Sequence, residues 1–464
     1  MKKQLSLLFL LALPLAVIGD QPQAQPASGP NIILILADDL GYADIGAQGA
    51  KHPTPNLDRM GREGARLTSF YTAGNVCTPT RSSLMTGGYP ARVGLHRGVL
   101  FPGYPNGINA SEITIAELLK SRGYATGMAG KWHLGDQPEF LPTRHGFDEY
   151  FGIPFSNDMG YEHPRNVRIY PPLPLLRGEK VIETEPDQRY LTRRYTEETI
   201  KFIEKNQARP FFFYLPHTMP HWPHYSSENF AGKSGNGKYG DAVTELDWST
   251  GEILAALKRL KLDEKTLVIF LSDNGGPVVQ GATNTPLRGA KASAWEGGHR
   301  VPFIARWPKR IPAGKVVGEM AASFDLYPTL AKLGGARIPT DRIVDGKDIW
   351  PLLAAKNGAK TPHEAFFYFT NNGRLQGVRS GKWKLLVPLP LPANANRDNF
   401  VTEPSLLDLD ADIGETKNVA AENPEVVKRL QALLNRARAD LGDGDKAGAG
   451  CRPAGFVKEA KPLT

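Results

Sequence analysis

Runs of apolar residues without polar alternation punctuate the first two thirds of the chain. The clearest are Asn31 to Ala37 (NIILILA), Pro210 to Leu215 (PFFFYL) and Thr266 to Leu271 (TLVIFL), with a shorter one at Tyr124 to Ala129. A strand that is apolar at every position is covered on both faces, as in parallel sheets. Between these runs the apolar spacing becomes helical: Ile113 to Arg122, Arg194 to Asn206, and Asp241 to Leu260, where Val243, Leu246, Ile253, Leu254 and Leu257 share a face. Strands alternating with helices predict a layered α/β domain with a large, mostly parallel central sheet. After about residue 370 the texture changes. Leu375 to Val387 reads as a hairpin turning at Ser380-Gly381, Leu406 to Leu409 as a further short strand, and Glu425 to Leu441 as an amphipathic helix. These predict a smaller α+β domain with an antiparallel sheet and one helix. The Gly-rich stretch from Gly442 reads as loosely ordered, and no internal repeat is evident.

The chain start alters the picture. Met1-Lys2-Lys3, the apolar run Leu5 to Ile18 and the polar exit Asp20-Gln21-Pro22 have the order of a secretory signal peptide, and the run is short for a membrane span. The expected division is a signal at residues 1–19, a flexible Pro/Gln/Ala lead-in at 20–30, the large domain at 31–370, the small one at 371–441 and a tail at 442–464. The expectation is an exported protein, periplasmic or secreted, with no stable membrane insertion after signal cleavage. The chain is 464 residues long, 41% hydrophobic and 22% charged, ordinary for a globular protein with ample core. Its formal charge of +8 suits an anionic substrate, but no arginine-rich run or RNA-binding signature points to nucleic acid.

Two strand ends carry the first candidate chemistry. The Asn31 run ends in Asp38-Asp39 and the Thr266 run ends in Ser272-Asp273-Asn274. In open α/β sheets ligands collect beyond the carboxyl ends of the strands, so these side chains would share one edge. Three carboxylates and an amide there repel one another unless a cation joins them. All are hard oxygen donors, which suits Ca²⁺ or Mg²⁺. The alternative is that each acid caps the turn or helix that follows it. The cysteines, Cys77 and Cys451, are two in number, and in an exported chain could form one disulfide.

The segment around Cys77 argues for a different use. Cys77-x-Pro79-x-Arg81, with Leu84-x-Thr86-Gly87 downstream, resembles the signature of the type I, formylglycine-dependent sulfatases. Thr80 departs from the Ser or Ala usual in that motif. The resemblance extends from about Asn31 to the C-terminal helix, with order and spacing similar to arylsulfatase A and N-acetylgalactosamine-6-sulfatase relatives. It implies an alkaline phosphatase-like fold and hydrolysis of aryl or carbohydrate sulfate monoesters. It also implies a maturation enzyme that oxidises Cys77 to formylglycine, whose hydrate is the nucleophile.

By the same resemblance Asp38, Asp39, Asp273 and Asn274, with the modified Cys77, bind one Ca²⁺ or Mg²⁺. Arg81 orients the hydrate, Lys131 and Ser156 hold the sulfate, and His133 serves as a base. His221 protonates the leaving oxygen, with Lys291 assisting. These types fit the task, because a sulfate monoester is an anion that repels nucleophiles until cations and hydrogen-bond donors offset its charge. Each has a plainer reading: Lys131 and Lys291 as solvated charges, Ser156 as a turn residue, Arg81 as a salt-bridge partner. His217, His221 and His224 stand at helical spacing, but Pro220 and Pro223 interrupt any helix and argue against zinc. His217 stays open as a substitute for His221. Trp295-Glu296-Gly297-Gly298 also resembles the family and reads as structural. Rival functions are a phosphate-ester hydrolase of the same superfamily and a non-catalytic, sulfated-glycan-binding protein.

Overall fold

A computed structural model describes residues 29–161, 169–390 and 399–463; the expected signal peptide and nearly all of the lead-in lie outside them. A ten-stranded sheet forms the centre. From one edge its strands run Lys315–Val317, Ala65–Leu67, Phe303–Arg306, Thr266–Ser272, Asn31–Ala37, Phe211–Pro216, Ala125–Lys131, Glu149–Ile153, Pro174–Arg177 and Lys180–Thr184. The inner five, from Thr266–Ser272 to Glu149–Ile153, are mutually parallel. Four of them hold the apolar runs read from the sequence, because each has packed neighbours on both faces. The antiparallel additions at the two edges are short, and the Lys180–Thr184 strand alternates exposed and half-buried positions as an edge strand should.

Helices cover both faces. Leu191–Asn206 and Gly237–Arg259 pack on one, their apolar sides (Tyr195, Phe202, Ile203; Val243, Leu246, Ile253, Leu257) against Ile33, Ile35, Phe211 and Phe213. Ile115–Lys120 lies on the other, begun by a capping box in which Thr114 and Glu117 satisfy each other's backbone N–H groups. Cys77–Thr86 is a helix with all ten residues buried, stopped by Gly87 in the left-handed conformation at φ +74°. No helix among the described residues is long and apolar enough to cross a membrane.

The smaller unit is a four-stranded antiparallel sheet, Phe366–Phe369, Leu375–Ser380, Trp383–Leu386 and Ser405–Asp408, with the Pro424–Leu441 helix packed on it. The hairpin turns where expected, with Gly381 at φ +59°. Its core is continuous with Tyr71, Ala73 and Tyr89 of the large unit. The residues after Gly442 differ from the reading of a loose tail. Gly455–Phe456 pairs with Asn106–Gly107, Arg452 holds Glu112 at 2.7 Å, and Gln137 exchanges hydrogen bonds with the Lys461 backbone. The glycines that suggested disorder instead permit close approach: a Cβ on Gly455 would lie 2.6 Å from the Phe140 ring.

Candidate active site

Strand register builds the site. Ala37 pairs directly with Ser272, so Asp38-Asp39 and Asp273-Asn274 leave the sheet at the same level. The other three inner strands end at the same edge and supply Lys131 and His133, Ser156, and the His217 to His224 segment. Facing this edge is the first residue of the Cys77–Thr86 helix, Cys77 itself. A helix N-terminus carries partial positive charge, so the fold aims both a dipole and a nucleophilic position at the carboxylates.

Around the Cys77 sulfur the charges interlock. Its thiol donates to Asp38 Oδ1 at 3.4 Å; Lys131 Nζ lies 3.4 Å and Lys291 Nζ 3.9 Å from Sγ. Lys131 also donates to Asp38 Oδ2 at 2.6 Å and to the Ser156 hydroxyl at 3.1 Å, while Lys291 reaches Asp39 Oδ2 at 2.7 Å. Arg81, wholly buried, donates to Asp273 Oδ2 at 3.0 Å and to the Lys131 carbonyl at 2.6 Å. Thr80 is accommodated by donating its hydroxyl to the Gly74 carbonyl at 3.0 Å.

The pKa shifts follow from this geometry. Burial alone would raise Asp38, yet Lys131, His221, Arg81 and Lys291 hold it well below the usual carboxylate range. Burial, reinforced by Asp38 and Asp39 and only partly offset by Arg81, pushes Asp273 up to about 7. Burial and the neighbouring carboxylates push the Cys77 thiol far up, against the pull of both lysines.

A cation fits this donor set. Ligand atoms of Asp38, Asp39, Cys77 and His221 lie within 4.8 Å of one another. Asp273 contributes none to that tightest group, since its oxygens accept from Arg81 and from the Asp39 N–H at 3.1 Å. Asn274 donates its amide nitrogen to Asp39 Oδ1 at 2.6 Å, and its Oδ1 is buried without a hydrogen-bond partner. An orphaned amide oxygen beside a carboxyl forced toward protonation by its neighbours is what a hard divalent cation would relieve. The charges agree: three carboxylates already balance Lys131, Lys291 and Arg81, so a bound anionic ester needs further positive charge.

The histidines separate by their surroundings. His221 Nδ1 bonds the Trp222 carbonyl at 2.6 Å, which leaves Nε2 facing Asp39 Oδ2 at 3.6 Å. Its side chain is 11% exposed and that of Lys291 21%, whereas Lys131, Asp38 and Arg81 are at 0%; His221 and Lys291 thus line the mouth and the others the floor. His217 is buried elsewhere, its Nε2 3.4 Å from the Ser249 hydroxyl, with burial alone pushing it down to about 3. His224 places both ring nitrogens against carbonyls, of Pro220 and Gln280. His133 donates through Nε2 to the Leu100 carbonyl at 3.0 Å, so Nδ1 is left as an acceptor; burial, Lys131 and Arg81 keep the ring neutral.

Some contributors escaped the sequence reading. Thr78 donates to the His133 carbonyl and accepts from the Leu100 N–H, and Asn75 ties the Lys291 loop through Ser293 and Ala292. Their only sequence signal is adjacency to Cys77. The cysteines are both free: Cys451 bonds the Leu441 carbonyl at 3.2 Å, in surroundings unlike those of Cys77.

Comparison with known proteins agrees with this chemistry. The Sulfatase family model matches residues 30–336, and the one described as N-sulphoglucosamine sulphohydrolase, C-terminal, matches 290–440. The chain is 40% identical to human arylsulfatase A over 479 aligned residues, 94% of this chain and 91% of the relative. It is 40% identical to canine N-acetylgalactosamine-6-sulfatase over 398 residues, 81% of this chain and 74% of that one. Among solved structures, the PsFucS1 sulfatase from Pseudoalteromonas sp. superposes with a TM-score of 0.80 at 28% identity, covering 90% and 92% of the two chains. Because the likeness runs through the large sheet, the small sheet and the edge where Cys77 meets the carboxylates, this chain belongs to the sulfatase family and is a sulfuric ester hydrolase.

Proposed function

We propose that the enzyme cleaves sulfate monoesters of aryl or carbohydrate alcohols, using a formylglycine made from Cys77 and one divalent cation, Ca²⁺ or Mg²⁺. The observation that carries this reading is the cluster at the Cys77 sulfur. Two lysines lie within 4 Å of it, and three buried carboxylates with an orphaned amide oxygen stand beside it. A hydrated aldehyde and a hard cation supply, when present, a nucleophilic oxygen and the charge that offsets an anionic ester.

Everything else falls to the chain's own side chains. Asp38, Asp39, Asp273 and Asn274 would hold the cation, Arg81 keeping Asp273 in place. Lys131 and Ser156 bind sulfuryl oxygens on the floor, where low exposure strengthens each interaction. At the mouth, His221 Nε2 carries the proton for the departing oxygen and Lys291 offsets its negative charge. His133 Nδ1, a buried neutral acceptor, takes up a proton. Cys77 is only 2% exposed, so a maturation enzyme must reach it before the helix packs. The basic, apolar and polar order of residues 1–22 supports export to the periplasm or the exterior.

The test is mass spectrometry together with metal analysis. Formylglycine makes the chain about 18 Da lighter than the unmodified thiol, and about one Ca²⁺ or Mg²⁺ should be found per chain. Chelation should abolish turnover and lower the unfolding temperature, and both should return with the same ion. Two zinc ions, an unmodified Cys77 and faster cleavage of nitrophenyl phosphate than nitrophenyl sulfate would favour a phosphate-ester hydrolase instead.

A further inference from the structure

Glu296 takes no part in the chemistry above, yet it is fully buried and heavily bonded. Its carboxylate accepts from Lys384 Nζ at 3.0 Å and from the Tyr368 hydroxyl at 2.8 Å, and also from the Tyr71 hydroxyl. Lys384, on the Trp383–Leu386 strand of the small sheet, also pairs with Glu415 Oε1 at 2.7 Å. All three side chains are at 0% exposure. Ion pairs so buried are poor sources of net stability, and what these fix is the placement of the elements they join.

The loop they hold is the one that bears Lys291. Glu415 grips it twice: Oε2 accepts from the Glu296 N–H at 2.8 Å, and its backbone carbonyl accepts from Arg288 Nη1 at 3.0 Å. The Arg288 guanidinium also lies 3.7 Å over the Trp295 ring. Between these grips the loop closes on itself, Gly297 N–H to the Arg288 carbonyl at 2.8 Å, and Ala292, next to Lys291, is forced to φ +68°. A left-handed Ala persists only where its surroundings over-determine it. The loop also abuts the metal-side strand end without slack, since a Cβ on Gly275 would lie 1.7 Å from the Gly297 carbonyl.

We propose that Glu415 and Lys384, both from the C-terminal unit, are positioning residues for Lys291, clamping the 288–296 loop so that its ammonium stands at the mouth of the site. This rests on the reading of Lys291 as a leaving-group residue. It gives the small sheet a part in catalysis through a residue it does not itself carry.

The test measures kcat/KM on a sugar sulfate and on nitrophenyl sulfate for Glu415→Ala, Arg288→Ala and Lys291→Ala, and for each of the first two combined with the third. Glu415→Ala should lose roughly ten- to hundredfold on the sugar sulfate and much less on nitrophenyl sulfate, the same selectivity as Lys291→Ala. Combined with Lys291→Ala it should cost little more, because both act through one group. Glu415→Gln, which keeps an oxygen for the Glu296 N–H but turns an amide N–H toward Lys384, should recover part of the rate. Arg288→Ala removes an exposed side chain, so it tests one grip even where Glu415→Ala fails to fold. Equal losses on both substrates, additive with Lys291→Ala, would reduce the network to structural support. Selective loss in Lys291→Ala alone would overturn the clamp and leave the Lys291 assignment standing; no selectivity in Lys291→Ala would remove both.

Discussion

Cys77→Ala abolishes sulfate ester turnover, by at least ~10⁴-fold, and leaves the fold in place. Cys77 is the first residue of its helix, and its side chain contributes a small buried volume next to Asp38 and Lys131. Truncation to Ala therefore costs about 1 kcal/mol of packing, a shift of roughly 1 °C in Tm for a chain of this length. The carboxylates and Arg81 are held by contacts that do not pass through sulfur, so the cation should still bind with near-normal stoichiometry. Cys451→Ala is the control. Its thiol bonds backbone carbonyls near the end of the Pro424–Leu441 helix and its side chain packs on the small unit's core, away from the contacts of Cys77, so activity should be unchanged. Activity assays, calorimetry and metal content on both variants decide the matter. Comparable loss in the two would mean that the cysteines act as a pair.

Much of the site was legible because buried parallel strands announce themselves. The Asn31 and Thr266 runs are apolar at every interior position, so their ends, and hence Asp38, Asp39, Asp273 and Asn274, fall on one edge from the sequence alone. Lys131, His133, Ser156, His221 and Lys291 came from resemblance, since nothing in their local pattern distinguishes them from surface charges or turn residues. In the structure Lys131, Lys291 and His221 stand beside Cys77 and Ser156 bonds Lys131, while His133 is tied to Thr78 and Leu100. Short edge strands such as Ala65–Leu67 and Pro174–Arg177 were not legible, because three or four residues carry too little periodicity. The tail misled for a related reason. Glycine signals freedom in a sequence, but here Gly455 signals the close approach that lets residues 452–461 bind the large unit. The Glu296, Lys384 and Glu415 contacts join positions 88 and 119 residues apart, which no local pattern reveals.

His221→Ala, at the mouth, should be selective in a way that no variant in the floor of the site is. A general acid matters in proportion to the leaving group's need for a proton, and a sugar alkoxide needs one far more than nitrophenolate does. The expected loss is about 10²–10⁴-fold in kcat/KM on a sugar sulfate and much smaller on nitrophenyl sulfate. Lys131→Ala, which removes charge at the sulfuryl group, should cost both substrates similar factors. The pH profile adds a second signature. Burial and Lys291 lower the His221 pKa, with Asp39 and Asp38 opposing, and a bound cation would push it the same way as Lys291. The acid form is therefore present below that lowered pKa and disappears as pH rises through it. Sugar sulfate cleavage should show an alkaline limb centred below the ordinary imidazole range, and the limb should vanish in His221→Ala. His217→Ala is the discriminating control, because burial keeps His217 neutral down to about 3 and its Nε2 faces Ser249. It should lose stability without acquiring leaving-group selectivity. A selective loss in His217→Ala, with both substrates equally affected in His221→Ala, would move the acid to His217 and require the segment between Pro216 and Pro223 to rearrange during turnover.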